Sequence, residues 1–176
     1  MSAWTRTGVA LAALAMSAAG SAAQEETTNR VAANTDWSVF VEDNPRECWG
    51  VSAPRETVNT RDGRVVQVRR GDILLSVTFR PDSGASGEVS FTGGYPFASG
   101  STVQVEIGDQ EFQMFTDGEW AWPENPEADA QIVEAMKNGT DATLTAVSSR
   151  GTTTTDTFSL MGFTAAIEDA EERCAQ

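Results

Sequence analysis

Residues 151–174 read GTTTTDTFSLMGFTAAIEDAEERC, and this stretch decides how the fold closes. Its first half is rich in threonine and contains Phe158 and Leu160, and such β-branched and aromatic residues predict a strand. Gly162 ends this pattern, and the apolar residues after it recur with the 3.6-residue period of a helix. The apolar stripe of this helix consists of Phe163, Ile167, Ala170 and Cys174. The stripe is therefore expected to bring the second cysteine of the chain into the core.

The chain has two cysteines, Cys48 and Cys174. In an oxidising compartment two cysteines most simply form one disulfide, which here would join the first strands to the last helix. The bond would close a loop of about 125 residues, for which the chain-entropy model gives roughly 4–5 kcal/mol of stabilisation. Two free thiols or a redox pair are the alternative, which the spacing disfavours because it is not C-x-x-C.

The N-terminus has the pattern of a secretory signal peptide. A short apolar run at residues 8–16 follows Arg6, and the small residues 17–23 after it end in a cleavage site behind Ala23. The run is too short to span a bilayer. We therefore expect removal of residues 1–23 and a periplasmic or secreted protein with no transmembrane segment after cleavage. A buried N-terminal helix is the alternative.

The chain is strongly acidic, with 12 basic and 26 acidic residues and a net charge of −14. A phosphate backbone would be repelled, so nucleic acid is not an expected partner. The arginines concentrate between Arg55 and Arg80, whereas the segment 82–134 contains acids and no base. This asymmetry indicates either a docking face or, as we favour, strands that neutralise one another. The possible interaction residues of a docking face are Arg61, Arg64, Arg69 and Arg70.

Strand and turn signals alternate along most of the chain and predict a mainly all-β protein. Residues 24–35 are polar and aperiodic, which predicts a mobile leader, and residues 36–176 are predicted to form a single domain. Helix signals at residues 126–138 include Asn125 as the N-cap. The expected fold is a β-sandwich or flattened barrel of about eight to nine antiparallel strands with two short helices.

The segment that carries most of the arginines is predicted to form a loop and then a hairpin. Residues 53–64 are rich in turn-forming residues and read as the loop. The valines of residues 65–68 predict a strand, which the Gly71-Asp72 turn would connect to a second strand at residues 73–79.

The sequence contains no histidine, which limits its catalytic chemistry. Ser-His-Asp and Cys-His nucleophile systems and histidine metal sites are excluded. Motifs for phosphate, dinucleotide or calcium binding are also missing from the sequence. A pair of carboxylates, as glycosidases use, remains the catalytic alternative. We expect no enzymatic activity, no cofactor and no metal.

Trp120 and Trp122 flank Ala121, so the period of a strand places both rings on one face. They form either a platform for a sugar or peptide or, as we favour, a layer that packs beneath the helix at residues 126–138. In the closing strand, Asp156 shares the face of the apolar residues. An acid in that position usually pairs with an arginine or caps a turn, and Arg150 is the near candidate.

Several short motifs occur in a defined order between Trp37 and Cys174. They are Cys48, GYPF at residues 94–97, AW at 121–122, AMKNG at 135–139, SRGT at 149–152 and DTFSLMGFTAA at 156–166. Together with the signal peptide, this order resembles the invasion-associated locus B family of alphaproteobacteria. The resemblance implies a β-sandwich-like, non-enzymatic periplasmic or surface protein, linked in pathogenic members to host-cell invasion. It supports the cysteine pair and supplies no catalytic residues.

Two functional hypotheses follow. The first is an exported protein that acts through protein interaction or envelope support, with an unknown envelope or extracellular protein as its partner. The second is a carbohydrate-binding or carbohydrate-acting envelope module. It predicts a cleft containing Trp120 or Trp122 and, for an acting enzyme, a carboxylate with a perturbed pKa.

Overall fold

The structure, a computed structural model, describes residues 29–175. The predicted signal peptide, residues 1–23, lies outside the described residues. The strands are β1 (Arg30–Asn34), β2 (Trp37–Asp43), β3 (Arg46–Ser52), β4 (Glu56–Arg61), β5 (Arg64–Val65), β6 (Leu74–Arg80), β7 (Ala85–Thr92), β8 (Thr102–Ile107), β9 (Gln110–Asp117), β10 (Trp120–Trp122), β11 (Asp141–Val147) and β12 (Thr153–Ser159). The helices are α1 (Pro126–Asn138) and α2 (Phe163–Cys174), with a short 3-10 helix at Pro81–Ser83.

The twelve strands form one antiparallel sheet in the order β1-β2-β3-β6-β7-β10-β9-β8-β11-β12-β4-β5. The predicted mainly β fold is confirmed, but the number of strands is higher than the eight to nine expected. The sheet has β1 and β5 as its two edges, and within residues 29–175 these edges do not pair to close a barrel.

The inward face of the sheet packs on itself. Phe91 of β7 and Phe158 of β12 belong to strands far apart in the sheet order, yet their ring centroids are 6.1 Å apart. Burial alternates along the strands, so that Ala142, Leu144 and Ala146 of β11 face the core and the residues between them are partly exposed. This alternation is typical of a sheet with one core face and one solvent face.

Helix α2 packs on β2 and β3 and completes the core. Trp37 contacts Phe163 edge-on at 4.8 Å between ring centroids, and its Nε1 donates to the carbonyl of Ser159 at 2.9 Å. At the other end of the helix, Cys174 forms a disulfide with Cys48, with 5.7 Å between the Cα atoms. The predicted disulfide is confirmed.

Helix α1 begins as the sequence predicts. The side chain of Asn125 accepts a hydrogen bond from Ala128 N at 2.9 Å, which confirms the N-cap. Asp129, in the first turn, is buried and accepts a hydrogen bond from Val89 N at 2.8 Å. This bond joins the start of the helix to β7.

Two regions differ from the predicted elements. Arg30–Asn34 pair with β2, so regular structure begins before residue 36, inside the predicted leader. Glu56–Arg61 form β4 where a loop was expected, and β4 turns into the short β5. Residues 66–73 carry no regular structure, and the predicted Gly71-Asp72 hairpin is wrong. Gly71 N instead donates to the carbonyl of Gly94 at 2.8 Å, which holds the segment against a neighbouring loop.

Candidate functional site

Three of the four candidate arginines lie on the surface. Arg61 at the end of β4, Arg64 in β5 and Arg69 in the irregular segment are exposed, whereas only 6% of the Arg70 side chain is exposed. Arg70 was named with the others as a possible interaction residue, but its burial excludes it from an exposed patch and agrees with the favoured neutralising role. Residues 66–73 carry no regular structure, and within them the Arg70 guanidinium is turned inward to hydrogen-bond with the buried Asp156.

Arg70 is the partner of the buried acid in the closing strand. Its Nη1 and Nη2 donate to the two carboxylate oxygens of Asp156 at 2.7 and 2.5 Å, and the Asp156 side chain is fully buried. Its Nε donates to the carbonyl of Gly93 at 2.8 Å, and the guanidinium lies 5.0 Å from the ring centre of Tyr95. The predicted pairing with Arg150 is wrong. This bidentate pair connects the irregular segment, β7 and β12.

Burial changes the titration of the groups around Arg70. Burial raises the pKa of Asp156, and the hydrogen bonds and positive charge of Arg70 oppose that rise. Burial also raises the pKa of Tyr95, whose hydroxyl lies 2.5 Å from Thr154 Oγ1. The polar groups around Arg70 have their hydrogen-bond partners within this cluster, which is typical of a structural network.

A cavity of 560 Å³ opens beside this network. Four arginines contribute to its lining, namely Arg61, Arg69, Arg70 and Arg150, and Glu119 is the acid among its lining residues. Arg61 Nη2 donates to Thr152 Oγ1 at 2.6 Å, which fixes that guanidinium at the wall. Within residues 29–175, Arg69 and Arg150 are exposed and form no ion pair. The cavity is therefore a locally basic site on an acidic protein.

The other arginines of the basic segment neutralise acids. Arg80 lies between Glu47 and Glu88, at 2.9 Å from each, and Arg55 lies 3.0 Å from Asp141. The favoured alternative for the charge asymmetry, neutralisation between strands, therefore holds for part of the basic segment. Arg55, Arg70 and Arg80 neutralise acids, whereas Arg61, Arg64 and Arg69 remain available on the surface.

Trp120 and Trp122 do not pack beneath α1. Ala121 between them is fully buried, so both rings lie on the outer face of β10, and Trp120 is 41% exposed. The expected packing under the helix is wrong because the small alanine, not the tryptophans, faces the core. The rings lie 6.4 Å apart with 25° between their planes. With Trp49 of β3, they line a groove of 270 Å³ across the outer face.

The two carboxyls with raised pKa have structural contacts. Burial, with a contribution from the nearby charge of Glu88, raises the pKa of Asp129, which its hydrogen bond from Val89 N opposes. Asp156 pairs with Arg70. Neither carboxyl lines the tryptophan groove. Among residues 29–175, no cluster of three or more potential metal-ligating carboxylate or cysteine side chains is found.

Sequence reasoning missed three residues of these sites. Trp49 lines the groove, Tyr95 contacts Arg70, and Arg150 lines the cavity instead of pairing with Asp156. Each depends on contacts between distant parts of the chain, for which the local pattern contains no signal. None of the helices in residues 29–175 is long and apolar enough to cross a membrane.

Comparison with known proteins identifies a family relationship. Residues 37–171 match the model of the family described as Invasion associated locus B (IalB) protein. The fold is similar to the crystal structure of invasion associated protein b from Bartonella henselae, with a TM-score of 0.55 and 16% sequence identity. That similarity covers 82% of this chain and 98% of the Bartonella chain. No match was found among curated proteins.

Proposed function

Because this chain belongs to the Invasion associated locus B family, we propose that it is an exported, non-enzymatic protein that binds an acidic segment of another envelope or extracellular protein. Export is supported by the signal-like sequence of residues 1–23 and by the Cys48–Cys174 disulfide, since such bonds persist in oxidising compartments. Mass spectrometry of the exported protein tests this part. A mature chain beginning at or near Gln24 is expected, and a retained apolar N-terminus would contradict it.

The observation that carries the binding proposal is the arginine-lined cavity. Four arginines converge on it although the whole chain has a net charge of −14. Arg69 and Arg150 contribute exposed guanidinium groups, whose planar fork of donors fits carboxylates. A carboxylate-rich segment is therefore the partner chemistry that this site favours.

The non-catalytic part of the proposal is supported by how the acids are used. The two carboxyls with raised pKa, Asp129 and Asp156, hold α1 and the irregular segment to the sheet. A glycosidase pair would instead present two carboxylates to one substrate pocket. Incubation with neutral and acidic polysaccharides, followed by analysis for new reducing ends, tests this part. Release of reducing ends that the pure protein catalyses would contradict it.

Charge reversal tests the binding site. We expect Arg69→Glu and Arg150→Glu each to weaken binding of a fluorescent glutamate-rich peptide, and capture of cross-linked envelope proteins, at least tenfold. Arg30→Glu is the matched control, because Arg30 is an exposed arginine of β1 that does not line the cavity. Arg64→Glu separates the cavity from a general basic patch, since Arg64 is exposed but also lies outside the lining.

The melting temperature of each variant should stay close to that of the wild type, since these side chains form no ion pair in the described part of the chain. Equal losses in all four variants would indicate a nonspecific charge effect and contradict the cavity as the binding site. Unchanged peptide binding and unchanged capture in Arg69→Glu and Arg150→Glu would reject it.

A further inference from the structure

The outer face of the sheet carries a groove that the proposed protein interaction does not use. Its walls are aromatic, with Trp49 on β3 and Trp120 and Trp122 on β10. Two strands, β6 and β7, lie between β3 and β10 in the sheet. Since neighbouring strands are about 4.8 Å apart, the backbones of the two walls are roughly 14 Å apart.

The groove exists because the strands between the walls carry small polar side chains on this face. Its floor contains Ser76 and Thr78 of β6 and Ser90 of β7. The hydroxyls of Ser76 and Ser90 lie 2.8 Å apart, so they meet across the strand pair. Small hydroxyl side chains between large rings leave a channel that is polar at the bottom and apolar at the sides.

Each wall extends as a row of rings. Phe40 stacks on Trp49 with 5.5 Å between centroids and 8° between planes. On the other side, Phe115 lies 5.8 Å from Trp122, which is itself near-parallel to Trp120. Phe115 and Trp120 are 48% and 41% exposed, respectively. An exposed aromatic patch rimmed by polar side chains is typical of a binding surface.

We infer that this groove binds a neutral polysaccharide chain. A pyranose ring has an apolar C–H face, which packs on an aromatic ring, and a rim of hydroxyls, which both donate and accept hydrogen bonds. The groove supplies both kinds of contact: rings on the walls and hydroxyl, carboxylate and guanidinium groups along the floor and at one end. At 270 Å³ it is small for a closed ligand pocket and suits a short segment of a longer chain.

The charges in the groove favour a neutral ligand. Glu47 and Glu88 both hydrogen-bond to Arg80 at 2.9 Å, and these three are the charged residues that line it. The set has one positive and two negative groups, so an anionic polymer would meet an excess of negative charge. In this respect the groove is the opposite of the arginine-lined cavity.

A peptide fits the groove less well. The main-chain groups of β6 and β7 are already paired within the sheet, so an extended peptide on this face has no exposed strand edge to join. A proline-rich helix could stack on the rings, but proline supplies no backbone donor to the floor hydroxyls. A sugar chain uses both the rings and the hydroxyls.

The inference is tested with defined probes on the mature, disulfide-bonded protein. The neutral probes are linear oligosaccharides of glucose and of N-acetylglucosamine, and the comparison probes are polygalacturonate and a proline-rich peptide. Binding is followed by tryptophan fluorescence and by retardation in gels that contain the corresponding polymers. We expect at least one neutral probe to bind at millimolar or lower concentration, and neither comparison probe to compete.

The variants distinguish the groove from the rest of the surface. Trp120→Ala and Trp122→Ala should each weaken binding of the neutral probe at least tenfold, and Trp120→Phe should retain most of it, because a ring still covers that position. The matched control is Met161→Ala, since Met161 is a large apolar residue, 63% exposed, that does not line the groove. Arg69→Glu should leave oligosaccharide binding unchanged, which separates this site from the proposed protein-binding cavity.

Three results would overturn the inference. They are failure of every neutral probe to bind at millimolar concentration, full binding by the Trp120→Ala, Trp122→Ala double variant, and binding of the proline-rich peptide or polygalacturonate in place of the neutral sugars. Circular dichroism of each variant checks that the sheet is retained. Because Trp120 is 41% exposed, its replacement leaves the core in place.

Discussion

Arg70→Met leaves the carboxylate of Asp156 buried without its partner. The variant removes both hydrogen bonds to the carboxylate, at 2.7 and 2.5 Å, in a site where the Arg70 side chain is 6% exposed and the Asp156 side chain is 0% exposed. Hydrogen bonds to charged groups contribute about 1.5–3 kcal/mol each. Breaking a buried ion pair by removing one partner costs roughly 3–5 kcal/mol, and we expect a loss in that range.

Urea unfolding of the oxidised protein measures this loss. With a slope of about 2 kcal/mol per molar urea, the midpoint should fall by roughly 1.5–2.5 M. The matched control is Arg55→Met, which breaks the Arg55–Asp141 pair, where the two side chains are 56% and 32% exposed. That variant should lose less than about 1 kcal/mol. The Arg70→Met, Asp156→Leu double variant should recover much of the loss, because no uncompensated charge remains.

The loss should also depend on pH. Burial raises the pKa of Asp156, and Arg70→Met removes the hydrogen bonds and the positive charge that oppose the rise. When the folded-state pKa of a carboxyl lies above its unfolded value, here near 3.8, the folded state is stabilised by the protonated form. That stability is fully present below pH 3.8 and is lost as the pH rises through the folded-state pKa. The deficit of Arg70→Met relative to the wild type should therefore grow from about pH 4 to pH 7. A loss no greater than that of Arg55→Met, or one that does not change with pH, would refute this account.

Three further perturbations test other parts of the fold. Cys48→Ser should lower the free energy of unfolding by roughly 2–5 kcal/mol, and dithiothreitol should then have no further effect on unfolding because Cys174 has no remaining partner. Gly50→Ala should cost about 1–3 kcal/mol in urea unfolding, because its new Cβ would lie 2.5 Å from Cδ1 of Ile167, which is 2% exposed and must shift within the core. Asp129→Asn should reduce the loss of stability as pH rises above 3.8, since the raised pKa of Asp129 makes its ionisation unfavourable in the folded state. Unfolding curves at several pH values measure that difference, and parallel pH profiles for wild type and variant would contradict it.

Local sequence signals were sufficient to predict the two helices and the disulfide at the end of α2. Asn125 caps α1 because its side chain competes well for the free amides at a helix start, whatever the rest of the chain does. The apolar stripe that includes Phe163 and Cys174 could be predicted from the sequence because a helix that covers a sheet must bury one face. The disulfide followed from having only two cysteines to pair.

The sites depend on contacts that local patterns do not encode. Asp156 pairs with a residue 86 positions away in sequence, although Arg150 is close to it along the chain. The period of β10 correctly placed Trp120 and Trp122 on one face, but which face is outward depends on the register of the whole sheet. Ala121 decides it, because the strand presents its small side chain to the core.

The irregular segment shows why the hairpin prediction failed. Gly71-Asp72 has the composition of a tight turn, yet Gly71 N bonds to Gly94, and a Cβ on Gly94 would lie 2.6 Å from the Gly71 carbonyl oxygen. Gly94 also has a positive φ of 71°, which favours glycine. Gly94 therefore permits a close approach between the two loops, beside the segment that contains Arg70.

The net charge of the protein and the charge of its cavity act on a ligand over different distances. At about 0.15 M ionic strength the Debye length is roughly 8 Å, so the field of distant acids is screened more than contacts inside the cavity. An acidic segment would thus be repelled by the protein as a whole, with its net charge of −14, and attracted by Arg69 and Arg150 at close range. If the close contacts dominate, affinity falls as salt is raised; if the overall field dominates, affinity rises. The proposed function requires the first sign, and the groove, whose ligand is neutral, requires a salt dependence near zero.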